Sequence, residues 1–234
     1  MKVIKKIIIF IILIIIFVAA LFTYKGYTLY KEALAENSVS EKVEKIKAKE
    51  NYTKIEDLPQ FYLDAVIAVE DRRFYDHGPI DVIAIARAIW VDIKSLELKE
   101  GGSTITQQVA KNIYFTQEKS ALRKISEIFM AFEIERNCSK DEVLELYLNT
   151  SYFGDGYYCV KDAANGYFDK EPIDMNRNES SLLAGIPNAP SVYAPTKNPE
   201  LARQRQEQVL DKMVKYEFIT KSEKEEILHE NNRN

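Results

Sequence analysis

Cysteine and histidine are scarce: Cys138, Cys159, His77 and His229 are all that the chain holds of either. Two cysteines are too few for a disulfide scaffold, and buried free thiols are the simpler reading. Nor does any zinc-type Cys/His spacing exist, so only a metal held by carboxylates stays open. Excess positive charge is missing as well. A net charge of −4 gives no electrostatic footprint for nucleic acid, which excludes that class of partner. Strand-type alternation is rare, no internal repeat is present, and no apolar run after residue 24 matches the one before it. With 46% hydrophobic and 29% charged residues over 234 positions, the chain suits one ordinary globular domain plus something extra.

The extra part is N-terminal. Lys2, Lys5 and Lys6 precede an uncharged run from Ile7 to Tyr24, which with Val3 and Ile4 nears the roughly 20 residues that span a bilayer. A cleaved secretory leader has a shorter apolar stretch and a small-x-small site just beyond it. Here Phe22-Thr23-Tyr24-Lys25 stands in that place, and Ala33-Leu34-Ala35 comes too late. The expectation is an uncleaved, single-pass anchor over residues 1–30, its N-terminus cytoplasmic and the rest outside, because lysines flank the cytoplasmic side.

From 31 to 57 the chain is charged and poor in aromatics, which reads as a helical stalk or linker, and the folded domain is expected over 58–234. Apolar residues recur there at helical spacing: Phe61, Ala65 and Ala68; Val82, Ile85, Ile89 and Ile93; Leu122, Ile125, Phe129 and Phe132. Ser139 with Glu142 and Thr220 with Glu223 fit the capping box. Gly154 and Gly156 mark a turn, and Pro187, Pro190 and Pro195 an irregular segment before a final charged helical pair. The class is therefore mainly α.

Three stretches carry chemistry. "DAVIAVEDRRFYDHGPID" puts Glu70 and Asp71 at the end of an apolar helix, where a carboxylate beside apolar walls suits a general base. "GGSTITQQVAKN" gathers Ser103, Thr104, Thr106, Gln107 and Gln108 before Lys111, a run of neutral hydrogen-bonding groups; as a helix start it would place the N-cap at Gly102 or Ser103. "EKSALRKISEIFMAFEIER" places Arg123 and Glu127 four apart on one helical face, with Lys124 three from Glu127. Between Lys111 and Lys124, four cations stand against Glu118 alone, a local charge of +3 in an acidic chain that suits a polyanion such as a pyrophosphate. Two carboxylates, clustered cations, a hydroxyl-binding shelf and a bilayer anchor together fit a lipid-pyrophosphate-linked sugar.

These residues resemble the family 51 glycosyltransferases, the peptidoglycan glycosyltransferase module of class A penicillin-binding proteins and of monofunctional transglycosylases. Five motifs match in order: "EDRRFYDH", "GGSTITQQVAKN", "RKISEIFMAFEIE", "KDEVLELYLNTSYFG" with "AANGYFDK", and "LLAGIPNAPSVYAP", over about Leu58 to Met213. The resemblance implies a lysozyme-like, two-lobed helical domain in the bacterial cell membrane. It also implies polymerisation of lipid II by inverting transfer from a growing glycan chain on undecaprenyl pyrophosphate. Glu70 would deprotonate the acceptor 4-hydroxyl and Glu127 would be the second catalytic acid. Lys111, Lys119, Arg123 and Lys124 would surround pyrophosphate; Ser103, Gln107 and Gln108 would hold sugar and phosphate; Asp71 and His77 complete the substrate-binding set. No residue is assigned as a metal ligand, and a divalent cation, Mg or Mn, is the only candidate helper. Expected partners are lipid II, the glycan chain, the membrane and other cell-wall synthesis proteins.

Three positions depart from the family pattern: Gly78-Pro79 after His77, and Cys159 and Asp169 where glycines are usual. No Ser-x-x-Lys occurs, so a monofunctional enzyme without transpeptidase activity is expected. Two rivals are a lysozyme-type hydrolase, which needs no pyrophosphate clamp, and a non-catalytic binding module, which needs neither Glu70 nor Glu127.

Overall fold

A run that is apolar on nearly every side goes into the core, and residues 60–70 do so, with Gln60 left exposed and Phe61, Asp64 and Glu70 partly so. In the computed structural model, which describes residues 2–95, 101–115 and 120–230, they form a helix, α3 (Gln60–Glu70), with Tyr62, Leu63 and Ala65 through Val69 all buried. Each fully buried large aliphatic side chain of this kind contributes about 1.5–3 kcal/mol. The helix ends where its first carboxylate in the last turn, Glu70, leaves the core.

Around it stand α1 (Lys2–Glu36), α2 (Val39–Lys47), α4 (Val82–Ser95), α5 (Ile105–Tyr114), α6 (Ala121–Asn137), α7 (Lys140–Thr150), α8 (Val160–Phe168), α9 (Arg177–Gly185), α10 (Pro190–Tyr193), α11 (Pro199–Lys215) and α12 (Lys221–Glu230). Among the described residues there is no strand, and the chain has the expected lysozyme-like, mainly α architecture. α9 and α11 pack on α3, while α5 packs on α6 and α7. Both capping boxes expected from sequence are present: Ser139 with Glu142 starts α7, and Thr220 with Glu223 precedes α12.

Three local outcomes differ from, or add to, the sequence reading. The segment 31–57 is not bare stalk: α1 runs through it to Glu36, and Val39, Val43 and Ile46 of α2 join the common core. Lys47 bonds Glu142 of α7 at 2.9 Å, so the charges that suggested a linker lie on the outer face of a packed amphipathic helix. On α4 the expected stripe is only partly covered: Val82 and Ile93 are exposed, together with Ile83 and Trp90, whereas Ile85 is partly buried. The third concerns the departures from the family pattern. Asp169 sits in the left-handed region at φ 54°, where glycine or a short polar residue fits, whereas Cys159 is extended at φ −153° and caps α8 through its sulfur. Both cysteines are free, and burial pushes each thiol up to about 11.

Candidate active site

The end of α3, the start of α5 and the inner faces of α4, α6 and α11 enclose a cleft of about 710 Å³. Its positions are fixed by the chain's own polar chemistry. Asp71 caps α3 and is buried, with one carboxylate oxygen 2.8 Å from His77 Nε2 and the other accepting the Ile105 N–H at 3.1 Å. It therefore ties the end of α3 to the first turn of α5, where a negative charge also meets the positive end of the helix dipole. Arg73 chelates Asp81 through both carboxylate oxygens, and Asp81 also accepts the Ala84 N–H at the start of α4. Burial alone would raise the Asp81 carboxyl; Arg73 and that N–H outweigh it and hold the carboxyl below its ordinary value.

The neutral stretch 101–110 divides its work. Thr104, and not Gly102 or Ser103, is the N-cap of α5: its backbone is extended, its oxygen accepts the Gln107 N–H at 3.2 Å, and Gln107 Oε1 accepts the Thr104 N–H at 3.1 Å. Thr104 also donates to the Pro79 carbonyl at 2.8 Å, which pins the loop carrying Gly78-Pro79. Gln107 is thus mainly structural, only 2% exposed, though it still borders the cleft. Gln108 is the working member: its amide donates to Glu70 Oε2 at 2.8 Å.

The second carboxylate, Glu127, is buried and bracketed by Arg123 Nε at 2.8 Å and Lys124 Nζ at 3.0 Å, as the i,i+4 and i,i+3 spacings predict. Lys124 also donates to Ser103 Oγ at 2.7 Å, linking α6 to the shelf. Lys111 stands in the field of both carboxylates and both neighbouring cations. Burial is the largest influence on it and, with Arg123 and Lys124 nearby, lowers its ammonium below the ordinary lysine value.

The structure brings Glu70, Asp71, Ser103, Gln107, Gln108, Lys111, Arg123, Lys124 and Glu127 to one cleft. His77 stands behind Asp71 rather than on the cleft lining, and Lys119 lies outside the described residues. Sequence reasoning missed a second group of cations, Arg72, Arg87, Arg205, Lys212 and Lys215. Lys212 donates to the Val69 carbonyl at 3.0 Å, in the last turn of α3, and the Arg72 guanidinium covers the Tyr216 ring at 4.6 Å. One signal was readable: Arg205 falls on the Ala202, Gln206, Val209, Met213 stripe of α11, where a charge interrupts a core face.

Eight cationic side chains line the cleft against four carboxylates, a net +4 in a chain of −4. Asp71, His77 and Asp81 bring ligand-type atoms within 4.8 Å of one another. Each is already committed, however: both His77 nitrogens to Asp71 and Gly78, both Asp81 oxygens to Arg73. Among the described residues this donor set does not fit Mg or Mn without dismantling the loop.

A helical cleft with one amide-held carboxylate, one cation-bracketed carboxylate and a surplus of positive charge is the class of site suited to an anionic ligand. Comparison narrows the class. Residues 36–214 match the transglycosylase family model, and the chain belongs to that family. It is 45% identical over 179 residues to penicillin-binding protein 1A of Neisseria flavescens, covering 76% of this chain and 22% of that protein. Against penicillin-binding protein 1F of Bacillus subtilis (strain 168) it is 44% identical over 169 residues, or 72% and 24% of the two chains. The chain thus spans under a quarter of the length of these relatives. The crystal structure of penicillin-binding protein 1A from Haemophilus influenzae is similar at a TM-score of 0.46 and 23% identity, covering 76% of this chain and 17% of that one.

Proposed function

We propose that the chain is a membrane-anchored peptidoglycan glycosyltransferase that polymerises lipid II, transferring a growing glycan from its lipid pyrophosphate to the acceptor 4-hydroxyl with inversion. The observation that carries this reading is the contrast between the two acids. Glu70, at the mouth of a buried helix, is oriented by a neutral amide, while Glu127 is consumed by two cations. Glu70 takes the hydroxyl proton as the oxygen attacks the anomeric carbon. The bond from that carbon to the pyrophosphate breaks, and Lys111, Arg123 and Lys124 meet the charge that develops on the leaving oxygen. Glu127 acts by holding Arg123 and Lys124 in place. The cations on and beside α11 supply a second anionic subsite, which two lipid-pyrophosphate substrates require.

The proposed setting is the cytoplasmic membrane. α1 is long and apolar enough to cross it by length and composition, and the lysines before its apolar run favour a cytoplasmic N-terminus. The exposed apolar face of α4, which also lends Ala84 and Arg87 to the cleft, suits a site fed from a lipid surface. The test is incubation of the purified chain with lipid II and, separately, with preformed glycan strands. Polymer from lipid II and no cleavage of strands is the expected result. Strand cleavage, or no polymer from a folded protein, overturns the proposal.

A further inference from the structure

α1 does more than end near the domain. From Val3 to Lys25 its side chains are exposed, and from the next residue it docks: Gly26 and Tyr30 are buried, with Ala33 and Leu34 partly so, a stripe at i, i+4, i+7 and i+8. The surface it meets is α6. A Cβ on Gly26 would lie 2.5 Å from Ile125 Cγ2 and 2.8 Å from Ile125 Cβ, so only a hydrogen fits between the two helices. Ser126 Oγ donates its single proton between the Gly26 carbonyl at 2.8 Å, across the joint, and its own Leu122 carbonyl at 2.9 Å. Above this point Phe129 packs on Tyr27 and Tyr30 at ring separations of 5.3 and 5.9 Å, and Tyr30 OH donates to Glu133 at 3.2 Å.

The face of α6 that receives α1 is Leu122, Ile125, Ser126, Phe129 and Glu133. The neighbouring face carries Arg123, Lys124 and Glu127 into the cleft. Gly26 lies one residue past Lys25, the first charge after the apolar run. The joint therefore sits where a bilayer-spanning helix would leave the hydrocarbon. We propose that the Gly26–Ser126 contact is a positioning joint: it sets the register between the membrane helix and α6, and so the place of Arg123, Lys124 and Glu127 relative to a lipid-borne pyrophosphate. This rests on the glycosyl-transfer reading above. Gly26 and Ser126 touch no substrate and act through α6.

The experiment uses the full chain in bilayer nanodiscs supplied with lipid II, comparing wild type, Gly26→Leu, Ser126→Ala and Thr28→Leu. Thr28→Leu places the same side chain on an exposed face of α1. Gly26→Leu is expected to lower kcat about tenfold to a hundredfold, the cost of misplacing groups by about an ångström. KM should stay within about twofold, since an interaction realised only in the transition state is what is lost. Ser126→Ala, which leaves the packing intact, should lower kcat by a smaller factor in the same pattern, and Thr28→Leu should match wild type. Melting curves and circular dichroism establish that each variant is folded. Equal loss in Thr28→Leu, a rise in KM with kcat unchanged, or wild-type kcat in Gly26→Leu overturns the joint. If Gly26→Leu does not fold, Ser126→Ala decides, and an unchanged kcat there overturns it. A wild-type chain that makes no polymer is a separate failure, which removes the glycosyl-transfer reading and the joint with it.

Discussion

Replacing Glu70 by glutamine separates a base from a mere helix terminus more sharply than any other single change. The structure makes the substitution conservative in every respect but one. Gln108 Nε2 donates to Glu70 Oε2 at 2.8 Å, and a glutamine at 70 can accept that bond through its own amide oxygen. Glu70 lies at the end of α3, half-buried, with no cation bonded to it among the described residues, so no ion pair is broken. Stability should therefore change little, within the roughly 0.5 kcal/mol usual for a surface substitution. What disappears is the ability to accept a proton. Losing a general base costs about 10²- to 10⁴-fold in turnover, or roughly 3 to 5.5 kcal/mol of barrier. The assay is the initial rate of lipid II polymerisation at saturating substrate, beside urea denaturation of the same preparation. A folded Glu70→Gln variant that retains more than about a tenth of the wild-type rate lies outside the general-base range and refutes the role.

The alkaline limb of kcat/KM should fall below the ordinary lysine value of 10.5, because burial lowers the Lys111 ammonium and the cation is lost as pH rises through that lowered value; Lys111→Arg, charged throughout, should move the limb upward, and an unmoved limb would clear Lys111 of the effect. Glu127→Gln removes the charge that Arg123 and Lys124 share, and should cost about 1.5–3 kcal/mol in chemical denaturation together with a fall in kcat; a variant with wild-type stability and rate would show that the bracket is idle. Glu142 is held below its ordinary 4.5 by its bond to Lys47 and by the Ser139 N–H. Its contribution is present above pH 4.5 and fades as pH falls through the lowered value, so Glu142→Gln should be less stable than wild type at neutral pH and equal to it in acid, and a gap that persists in acid would refute the linkage.

Local and periodic features were legible in the sequence; features assembled from distant residues were not. The buried helix ending at Glu70, the Arg123–Glu127 spacing and the capping box of α7 each depend on residues within one or two turns, where 3.6-residue periodicity and capping chemistry act directly. The N-cap of α5 was misplaced by one or two residues because Gly102, Ser103 and Thr104 are all capping types; the Pro79 carbonyl, 25 positions away, helps to fix Thr104. Most of the second cation group was hidden by composition, since on a helix as charged as α11 only a cation within the apolar stripe, Arg205, stands out. The docking of α1 was hidden for the opposite reason. A hydrophobic run satisfies the bilayer criterion by itself, and nothing in it announces that the turns after it face protein; Gly26 was the one available signal, a helix-weakening residue inside a long helix just past its apolar run.

The division of polar partners within the cleft has a physical logic that answers why the stretch 101–110 is neutral. A carboxylate bonded to cations spends its oxygens on holding those charges, whereas one held by a neutral amide keeps an oxygen open to a further hydrogen-bond donor. Glu127 has Arg123 and Lys124, and Glu70 has the amide of Gln108. On the proposed reading, the cations that meet a pyrophosphate must nevertheless lie near both acids, and unrestrained they would pair with Glu70 as readily as with Glu127. Two arrangements prevent that. Lys124 is held at Glu127 and Ser103 by bonds of 3.0 and 2.7 Å, so its reach is spent on α6 and the shelf. Lys212 is bonded to the Val69 carbonyl, on the backbone immediately before Glu70. Neutral donors and acceptors thus act as spacers between charges of opposite sign, orienting each without cancelling it. A shelf built from lysine or glutamate at 103 and 108 would hold the same positions but would let the acids and cations neutralise one another before substrate arrived.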